Sequence, residues 1–388
     1  MRVLHLFANW KWTGPAEPAL NLAWRQSREH EVVFLSGQPP GGQGSRIVPQ
    51  AEARGVAVRG GFQLGKHARL RRNRQDALAL ARLLAELRPH IVHTHLDNDH
   101  RVASVAVART GIGRLVRTAY DPRGLSHTLR MRLVARRALH GLIVTSRASR
   151  AGTLEHYGGG PRALAVDGRP RPLALIEGGV DLARFDPARR DREAARARLG
   201  LRAGDVAIGI VARVQAHRRF EVLLDALERA RRRQPGLRLV VIGRGTNIRP
   251  LLLDPVEARG LGGAVLATGY LEGEDYPAAL AALDASLFLV PGSDGSCRAL
   301  RELLVMGLPS IVTPRAPLPE LVEDGRTGLV AEESVEGLSE ALERLAADAT
   351  LRARLRQGAL ASARRRFDLD AQAAATMAFY EEVLSAST

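Results

Sequence analysis

The segment "LFLVPGSDGSCRALRELLVMG", residues 287–307, joins an apolar run to a helical pattern through a loop of small residues. The apolar run is typical of a buried strand that ends at the loop. Gly295 lets the backbone turn sharply, and Ser296 can cap a helix that begins near Cys297. Since free N–H groups at a helix start favour a phosphate, we expect one there, with Asp294 near the group that the phosphate carries.

Glu302 lies on the second turn of this predicted helix, within reach of a ribose attached to such a phosphate. A simpler interpretation is that Asp294 caps the helix and that Glu302 lies on a solvated face. Short motifs often match by chance, so the segment alone leaves both interpretations open.

Short apolar runs alternate with helical patterns along the whole chain. In the first half the runs are "RVLHLFA", "EVVFLSG", "GVAVRGG", "HIVHTHL", "RLVRTAY", "GLIVTS" and "PLALIEGG". In the second half they are "DVAIGIVARV", "LRLVVIGRG", "AVLATGY", "ASLFLVPGS", "PSIVTPR" and "GLVAEE". This alternation predicts parallel sheets covered by helices, and two series in 388 residues predict two doubly wound, Rossmann-like α/β domains.

We place the domain boundary at "LIEGGVDLARFDP", which follows the Gly/Pro-rich segment "YGGGPRALAVDGRPRP". The first domain is predicted to span residues 1–174 and the second 175–365, with a C-terminal helix in 366–388 that packs back on the first. Ligands of such sheets bind outside the carboxyl ends of the strands, and two facing domains would form a cleft there. Site residues are therefore expected directly after strands.

The formal net charge of +16 is concentrated in the first half. Residues 1–190 hold 31 Lys+Arg against 14 Asp+Glu, whereas residues 191–388 hold 26 against 27. A basic half indicates an anionic partner, which can be nucleic acid, a membrane surface or a phosphorylated acceptor. Nucleic acid is not expected, because the chain is only 4% aromatic and has no recognised nucleic-acid motif.

Targeting signals and cysteine frameworks are also not expected. The start "MRVLHLFANWKW" lacks the features of a signal peptide, and no apolar run is long enough for a membrane span. We therefore expect a cytoplasmic protein, peripheral at the inner face of the plasma membrane if the basic half binds lipid. The single cysteine, Cys297, excludes an internal disulfide framework and a cysteine-based zinc site.

The chain resembles the retaining nucleotide-sugar glycosyltransferases of family 4, which have the GT-B fold, over nearly its full length. Asp294 falls on the first of two family glutamates eight positions apart, and Glu302 falls on the second. "VMGLPSIVTPRAPLPELVEDGRTGLV" and "LIEGGVDLARFDP" match the neighbouring family segments. The resemblance implies that Asp294 binds sugar hydroxyls, that Glu302 binds the nucleotide ribose, and that no metal or other cofactor is needed.

"IVARVQAHRRFEVLLDAL" resembles the family segment whose two cations hold the donor diphosphate, with Arg213 and Arg218 on those cations and Arg219 as the fallback. Two cations are needed because the leaving nucleoside diphosphate gains negative charge. The other residues predicted to contact the diphosphate are Gly14, Gly295, Ser296, Cys297 and Arg298. Gly243 and Tyr270 join Glu302 as predicted nucleotide contacts.

Tyr120 follows the fifth predicted strand, where family members often carry a histidine near the donor sugar. Its hydroxyl can donate a hydrogen bond, but it is not expected to act as a base near neutral pH.

"IVHTHLDNDH", residues 91–100, permits two interpretations. His93 and His95 share a strand face, which allows a metal site with the nearby acids, but acceptor contact or ordinary polar packing is favoured. We assign His95, Asp97 and Asp99 to acceptor binding. If either aspartate proved to be a base, the reaction would invert the anomeric configuration.

"SHTLRMRLVARRALHG", residues 126–141, predicts a basic amphipathic helix. It can lie on anionic lipid headgroups or pack one face inward, and the sequence leaves both open.

These observations favour an enzyme that moves a sugar from a nucleoside-diphosphate sugar to a glycan or lipid-linked acceptor of the cell envelope, with retention. The alternative is a diverged, catalytically weak relative that acts as a binding or assembly partner in an envelope glycan pathway. Four departures from the family pattern favour that alternative: Asp294 at a usual glutamate, Gly178 at a usual asparagine, Tyr120 at a frequent histidine, and Ala316-Pro317 at a usual Gly-Gly.

Overall fold

The computed structural model describes residues 1–39, 44–292 and 296–386. Asp294 and Gly295, two of the predicted site residues, lie outside the described residues. The chain divides into two compact units. The first unit contains Met1–Gly179 and the C-terminal helix, and the second contains Val180–Gly292 and Cys297–Asp368.

The first unit is built on a sheet with the strand order β3-β2-β1-β4-β5-β6-β9-β8-β7. Its strands are β1 (Arg2–Phe7), β2 (Glu31–Ser36), β3 (Ala57–Arg59), β4 (Ile91–Thr94), β5 (Arg114–Ala119), β6 (Leu139–Val144), β7 (Gly159–Gly160), β8 (Ala163–Val166) and β9 (Arg169–Leu175). Its helices are α1 (Ala16–Gln26), α2 (Val48–Glu52), α3 (Leu70–Leu87), α4 (Asp97–Thr110), α5 (Leu129–Ala138), α6 (Arg147–Tyr157) and the C-terminal α15 (Leu369–Ser385). Neighbouring strands in the part of the sheet ordered β3-β2-β1-β4-β5-β6-β9 pair in parallel. Helices cover both faces of the sheet, so central strands such as β4 are buried along their length.

The second unit is a parallel sheet with the strand order β12-β11-β10-β13-β14-β15. Its strands are β10 (Val206–Val211), β11 (Leu237–Ile242), β12 (Val265–Gly269), β13 (Ala285–Phe288), β14 (Ser310–Val312) and β15 (Gly328–Val330). Its helices are α7 (Arg192–Arg198), α8 (Phe220–Arg231), α9 (Asp254–Ala258), α10 (Asp275–Ala281), α11 (Arg298–Val305), α12 (Leu318–Leu321), α13 (Val335–Ala347) and α14 (Ala349–Arg366). Each apolar run of the second series contains one of these strands, and the predicted fold class is confirmed.

The segment "YGGGPRALAVDGRPRP" differs from its sequence-based interpretation as the approach to a linker. It forms the antiparallel pairs β7–β8 and β8–β9 and extends the first sheet. Gly159 permits the close approach, because a Cβ atom there would lie 2.2 Å from the carbonyl oxygen of Ala163. The units accordingly divide after Gly179 rather than after residue 174, and the second unit extends to Asp368 rather than 365.

Helix α15 belongs to the first unit and packs on α1. Arg25 of α1 forms an ion pair with Asp370, and Tyr380 is fully buried with its ring edge-on to His93. Among the described residues, we find no helix with the length and apolar character that a membrane crossing requires.

Candidate functional site

The strand order of the second unit places its topological switch between β10 and β13, where ligands of doubly wound sheets bind. The loop after β10 carries Arg213 and then a single 3-10 turn, Ala216–Arg218. Arg218 is the last residue of that turn, and its Nη1 donates a hydrogen bond of 2.7 Å to the carbonyl oxygen of Val290. Val290 lies just after β13. The side chain of Arg218 therefore ties the two loops at the switch together.

The three arginines of this loop differ in their surroundings. Arg213 is exposed, and no carboxylate of the described chain forms an ion pair with it. Arg219 adopts the left-handed conformation (φ 60°) and lies 3.0 Å from Glu221 and 3.5 Å from Glu333. Two carboxylates therefore offset the charge of the fallback residue, which leaves Arg219 less suited to a phosphate than Arg213.

Glu302 is held in one orientation by two side chains. It is 3% exposed, its Oε2 accepts a hydrogen bond from Tyr276 Oη at 2.8 Å, and its Oε1 accepts one from Arg298 Nη1 at 2.9 Å. Arg298, predicted near the donor phosphates, thus lies against the carboxylate one turn further along α11. Tyr276 of α10 was not predicted, and no short motif connects it with Glu302.

The start of α11 differs in one detail from the prediction. Cys297, not Ser296, occupies the N-cap position, and it adopts a left-handed conformation (φ 45°). The Cys297 side chain is 2% exposed and packs in an apolar cluster with Leu300 and Phe367. The structure therefore favours a packing role for the side chain of this cysteine.

Gly243 and Tyr270 follow the adjacent strands β11 and β12. Gly243 has φ 153°, and a Cβ atom there would lie 2.0 Å from the carbonyl oxygen of Ala212. The glycine thus lets the loops after β10 and β11 meet backbone to backbone. Tyr270 is 46% exposed, and the Arg244 guanidinium lies 4.5 Å from its ring centroid.

In the first unit, half-buried Gly14 precedes α1, with Pro15 at the N-cap. Tyr120 directly follows β5 and is half-buried. Its hydroxyl lies 2.9 Å from His95 Nδ1. The sequence therefore brings Tyr120 to the carboxyl edge of the first sheet, beside the end of β4.

Among the described residues, Asp97, Asp99 and His100 do not join His93 and His95 in a group of potential metal ligands. His93 and His95 lie instead beside His5 of β1, and all three are fully buried. His100 Nδ1 lies 3.0 Å from Thr94 Oγ1. His5 was missed by sequence reasoning, although its place in the first apolar run put it on the strand next to β4.

The two aspartates after β4 have different environments. Asp99 has no exposed surface, and it accepts hydrogen bonds from the backbone N–H groups of Ala8 and Leu96 and from Arg117. Burial raises the pKa of Asp99 to about 7, against the lowering effects of Arg117 and the backbone donors. Asp97 is exposed and lies 3.0 Å from Arg117 Nη2.

The prediction that His95 and Asp99 contact the acceptor directly does not fit the structure, because both side chains are fully buried. Of the three residues assigned to acceptor binding, Asp97 is the one with an exposed side chain. The Asp99 carboxylate caps the start of α4 and is fully buried, so Asp99 cannot reach an acceptor hydroxyl as an inverting base.

Helix α5 is amphipathic, as predicted for residues 126–141, and it packs one face inward. Met131, Ala135 and Ala138 are buried. Leu129 is 74% exposed and Leu133 54% exposed, among four exposed arginines at positions 130, 132, 136 and 137. The outer face of α5 is therefore both basic and apolar.

Each unit matches a known family. Residues 14–184 match Glycosyltransferase Family 4, and residues 191–361 match Glycosyl transferases group 1. Both units are glycosyltransferase domains. The D-inositol 3-phosphate glycosyltransferase of Salinispora arenicola is 32% identical over 207 residues, which cover 50% of this chain and 46% of that relative. The chain spans about half the length of the first curated relatives that it matches.

Solved structures show that these glycosyltransferase domains have the GT-B fold. HepE of Anabaena, in complex with UDP and glucose, has a TM-score of 0.77 at 19% identity, with 97% of this chain and 99% of that chain covered. WaaG, a glycosyltransferase involved in lipopolysaccharide biosynthesis, has a TM-score of 0.66 at 17% identity, with 97% and 98% covered. At such identities the likeness concerns the fold alone.

Proposed function

We propose that the protein transfers a sugar from a nucleoside-diphosphate sugar to a cell-envelope acceptor, with retention of configuration. The observation that carries this proposal is the placement of Arg213 and Arg218 at the switch point of a group 1 glycosyltransferase domain. The UDP and glucose in the HepE complex support a nucleotide-sugar donor.

The proposed donor chemistry is electrostatic. Arg213 and Arg218 neutralise the charge that develops on the leaving diphosphate, and Glu302, oriented by Tyr276 and Arg298, binds the ribose. Gly14, Ser296, Cys297, Gly243 and Tyr270 remain further proposed contacts, as do Asp294 and Gly295 outside the described residues. Because guanidinium groups already offset the phosphate charge, we propose that no metal or other cofactor is required.

Retention follows in this proposal from the groups available near the acceptor. In the resembled family the leaving phosphate itself accepts the proton of the acceptor. The complete burial of Asp99 removes one of the two candidate inverting bases, because such a base must reach the acceptor hydroxyl, and the exposed Asp97 is paired with Arg117.

We propose that the first unit binds an acceptor that bears phosphate, on a lipid or a glycan. A surface cavity of about 510 Å³ lies between α5 and the β8–β9 hairpin. Its lining includes Arg136, Arg137, Arg169 and Arg171, together with Asp167, which forms an ion pair with Arg136. Guanidinium groups suit phosphate oxygens, and the exposed leucines of α5 suit a lipid surface. The name of the Salinispora arenicola relative mentions an inositol phosphate and that of WaaG lipopolysaccharide biosynthesis, and both agree with an acceptor of this class. We propose that the protein works at the cytoplasmic face of the membrane.

The donor proposal is tested by calorimetric titration of UDP, GDP, ADP, CMP and their common sugar conjugates. We expect one base to bind selectively, and Glu302→Gln to weaken that binding by about tenfold, since a hydrogen bond to a charged group contributes about 1.5–3 kcal/mol. Thermal denaturation controls for the loss of the Arg298 ion pair. If no nucleotide binds the wild type, the non-catalytic binding partner becomes the better interpretation.

The lipid proposal is tested by co-sedimentation with vesicles that contain anionic phospholipid. Leu129→Ser combined with Leu133→Ser should weaken vesicle binding by roughly tenfold, because it removes the apolar part of the exposed face of α5. Leu253→Ser is the matched control, since Leu253 is an exposed leucine of the second unit. Equal binding by both variants and the wild type would contradict a role for α5.

A further inference from the structure

The hydroxyl of Tyr120 ends a chain of buried hydrogen bonds in the first unit, here called the histidine relay and formed by Gln26, His5, His95 and Tyr120. Gln26 Oε1 lies 2.8 Å from His5 Nε2, His5 Nδ1 lies 3.0 Å from His95 Nε2, and His95 Nδ1 lies 2.9 Å from Tyr120 Oη. Both histidines are fully buried, and Gln26 is 2% exposed.

The chemistry of Gln26 gives the relay a direction. A carbonyl oxygen only accepts, so His5 Nε2 must carry a hydrogen. The amide nitrogen of Gln26 lies 3.4 Å from Met377 Sδ, which leaves the carbonyl oxygen facing His5. In the reverse arrangement the lone pair of His5 Nε2 would oppose the carbonyl oxygen.

The donor-to-acceptor direction of each hydrogen bond in the relay follows from the previous one, because a neutral imidazole has one N–H donor and one acceptor nitrogen. Burial lowers the pKa of His5 to about 4, and burial with the nearby His93 lowers the pKa of His95 well below its ordinary value. Neutral His5 therefore accepts at Nδ1 from His95 Nε2–H, and neutral His95 accepts at Nδ1 from the Tyr120 hydroxyl.

We propose that Gln26, through His5 and His95, makes the Tyr120 hydroxyl donate its hydrogen to His95 Nδ1. Tyr120 then offers only oxygen lone pairs to a ligand. This reverses the donor role that the sequence indicated for Tyr120. Gln26, His5 and His95 act as positioning residues. Tyr120 selects a ligand group that donates a hydrogen bond, such as a sugar hydroxyl; this last step rests on the proposed function.

A metal site is the competing interpretation of the same residues, since one ring nitrogen from each of His5, His93 and His95 lies within 4.8 Å of the others. Hydrogen bonds already account for all six ring nitrogens. His93 contacts Tyr380 Oη at 2.6 Å and Thr118 Oγ1 at 2.7 Å. A cation would have to displace several of these short contacts, which favours the relay.

The direction of the relay is measured by NMR of the full chain labelled with ¹⁵N-histidine, with signals assigned through His5→Gln and His95→Gln. We expect His5 and His95 each to carry one hydrogen, on Nε2, near neutral pH. Gln26→Glu keeps an acceptor and should keep this pattern, whereas Gln26→Met removes the carbonyl and should release His5 into a mixture of tautomers.

Three results would overturn the relay. They are a hydrogen on Nδ1 of His5 or His95, a doubly protonated ring at either residue, and a shift of the His5, His93 and His95 signals on addition of Zn²⁺. If Gln26→Met fails to fold, the wild-type spectrum still decides the direction. The spectra do not depend on any activity of the protein.

Ligand selection is measured by titrating the nucleotide sugar that binds best, together with its singly deoxyfluorinated derivatives, which cannot donate at the altered position. One derivative should bind the wild type about five- to tenfold more weakly, and Tyr120→Phe should remove most of that difference. Derivatives that all bind as tightly as the parent would overturn the selection by Tyr120. Binding of no nucleotide sugar at all would defeat the proposed function and leave the relay to the spectra.

Discussion

Arg218→Ala is expected to lower kcat for sugar transfer by about 100- to 1,000-fold, the usual cost of removing one group that stabilises developing charge. The structure supplies a second reason, since Arg218 also donates to the carbonyl oxygen of Val290 and ties two loops at the switch point. We also expect Arg218→Ala to weaken nucleotide binding at least as much as Arg298→Ala, because Arg298 already lies against Glu302.

Arg219→Ala is the matched control for this experiment. Its guanidinium lies beside Glu221 and Glu333, so its removal should change kcat by less than about threefold. Arg218→Lys separates charge from shape, because a lysine restores a cation without the planar fork of the guanidinium. Steady-state kinetics and calorimetry measure both effects. A larger loss in Arg298→Ala than in Arg218→Ala would reverse our assignment of the phosphate site.

Arg117→Met is expected to destabilise the first unit by about 3 kcal/mol above pH 7, the usual cost of leaving a buried carboxylate without its partner. Asp99 has no exposed surface and the side chain of Arg117 is only 7% exposed, so water cannot replace the pair. Denaturant titration at several pH values measures the loss.

The pH dependence of this loss has a definite sign. Burial raises the pKa of Asp99 to about 7 in the folded protein, above its ordinary value of 3.8, and removal of a cation raises it further. The penalty should therefore shrink as the pH falls through the raised pKa of the variant towards 7, and it should level off below pH 7, where Asp99 is protonated in both folded proteins. Arg82→Met, at an exposed position of α3, should change stability by less than about 0.5 kcal/mol. A penalty that grows on acidification would contradict the assigned environment of Asp99.

Sequence patterns were informative where a local rule decides the outcome. Short apolar runs bounded by turn residues predicted the strands of both sheets, because a strand buried on both faces needs continuous apolar residues. The hairpin around Gly159 was missed, because glycine and proline usually mark the end of regular structure and here they turn a chain between antiparallel strands.

The candidate site divides in the same way. The family resemblance pointed to Arg213, Arg218 and Tyr120, and each lies in a segment that follows a strand, where parallel sheets bind their ligands. Pairwise contacts over long separations were not predictable: Tyr276 reaches Glu302 from a different helix, and Gln26 reaches His5 across a helix–sheet interface. Such contacts depend on side-chain geometry that no local pattern encodes.

The sequence by itself determined two doubly wound domains, a basic first half and the loops that carry the candidate residues, because periodicity, charge and turn chemistry act locally. Only the tertiary structure decided what each polar group does. It buried His95 and Asp99, offset the charge of Arg219 and left Asp97 exposed. The physical reason is that burial and hydrogen-bond partners, which determine the charge and the donor or acceptor role of a side chain, depend on neighbours that are distant in the chain.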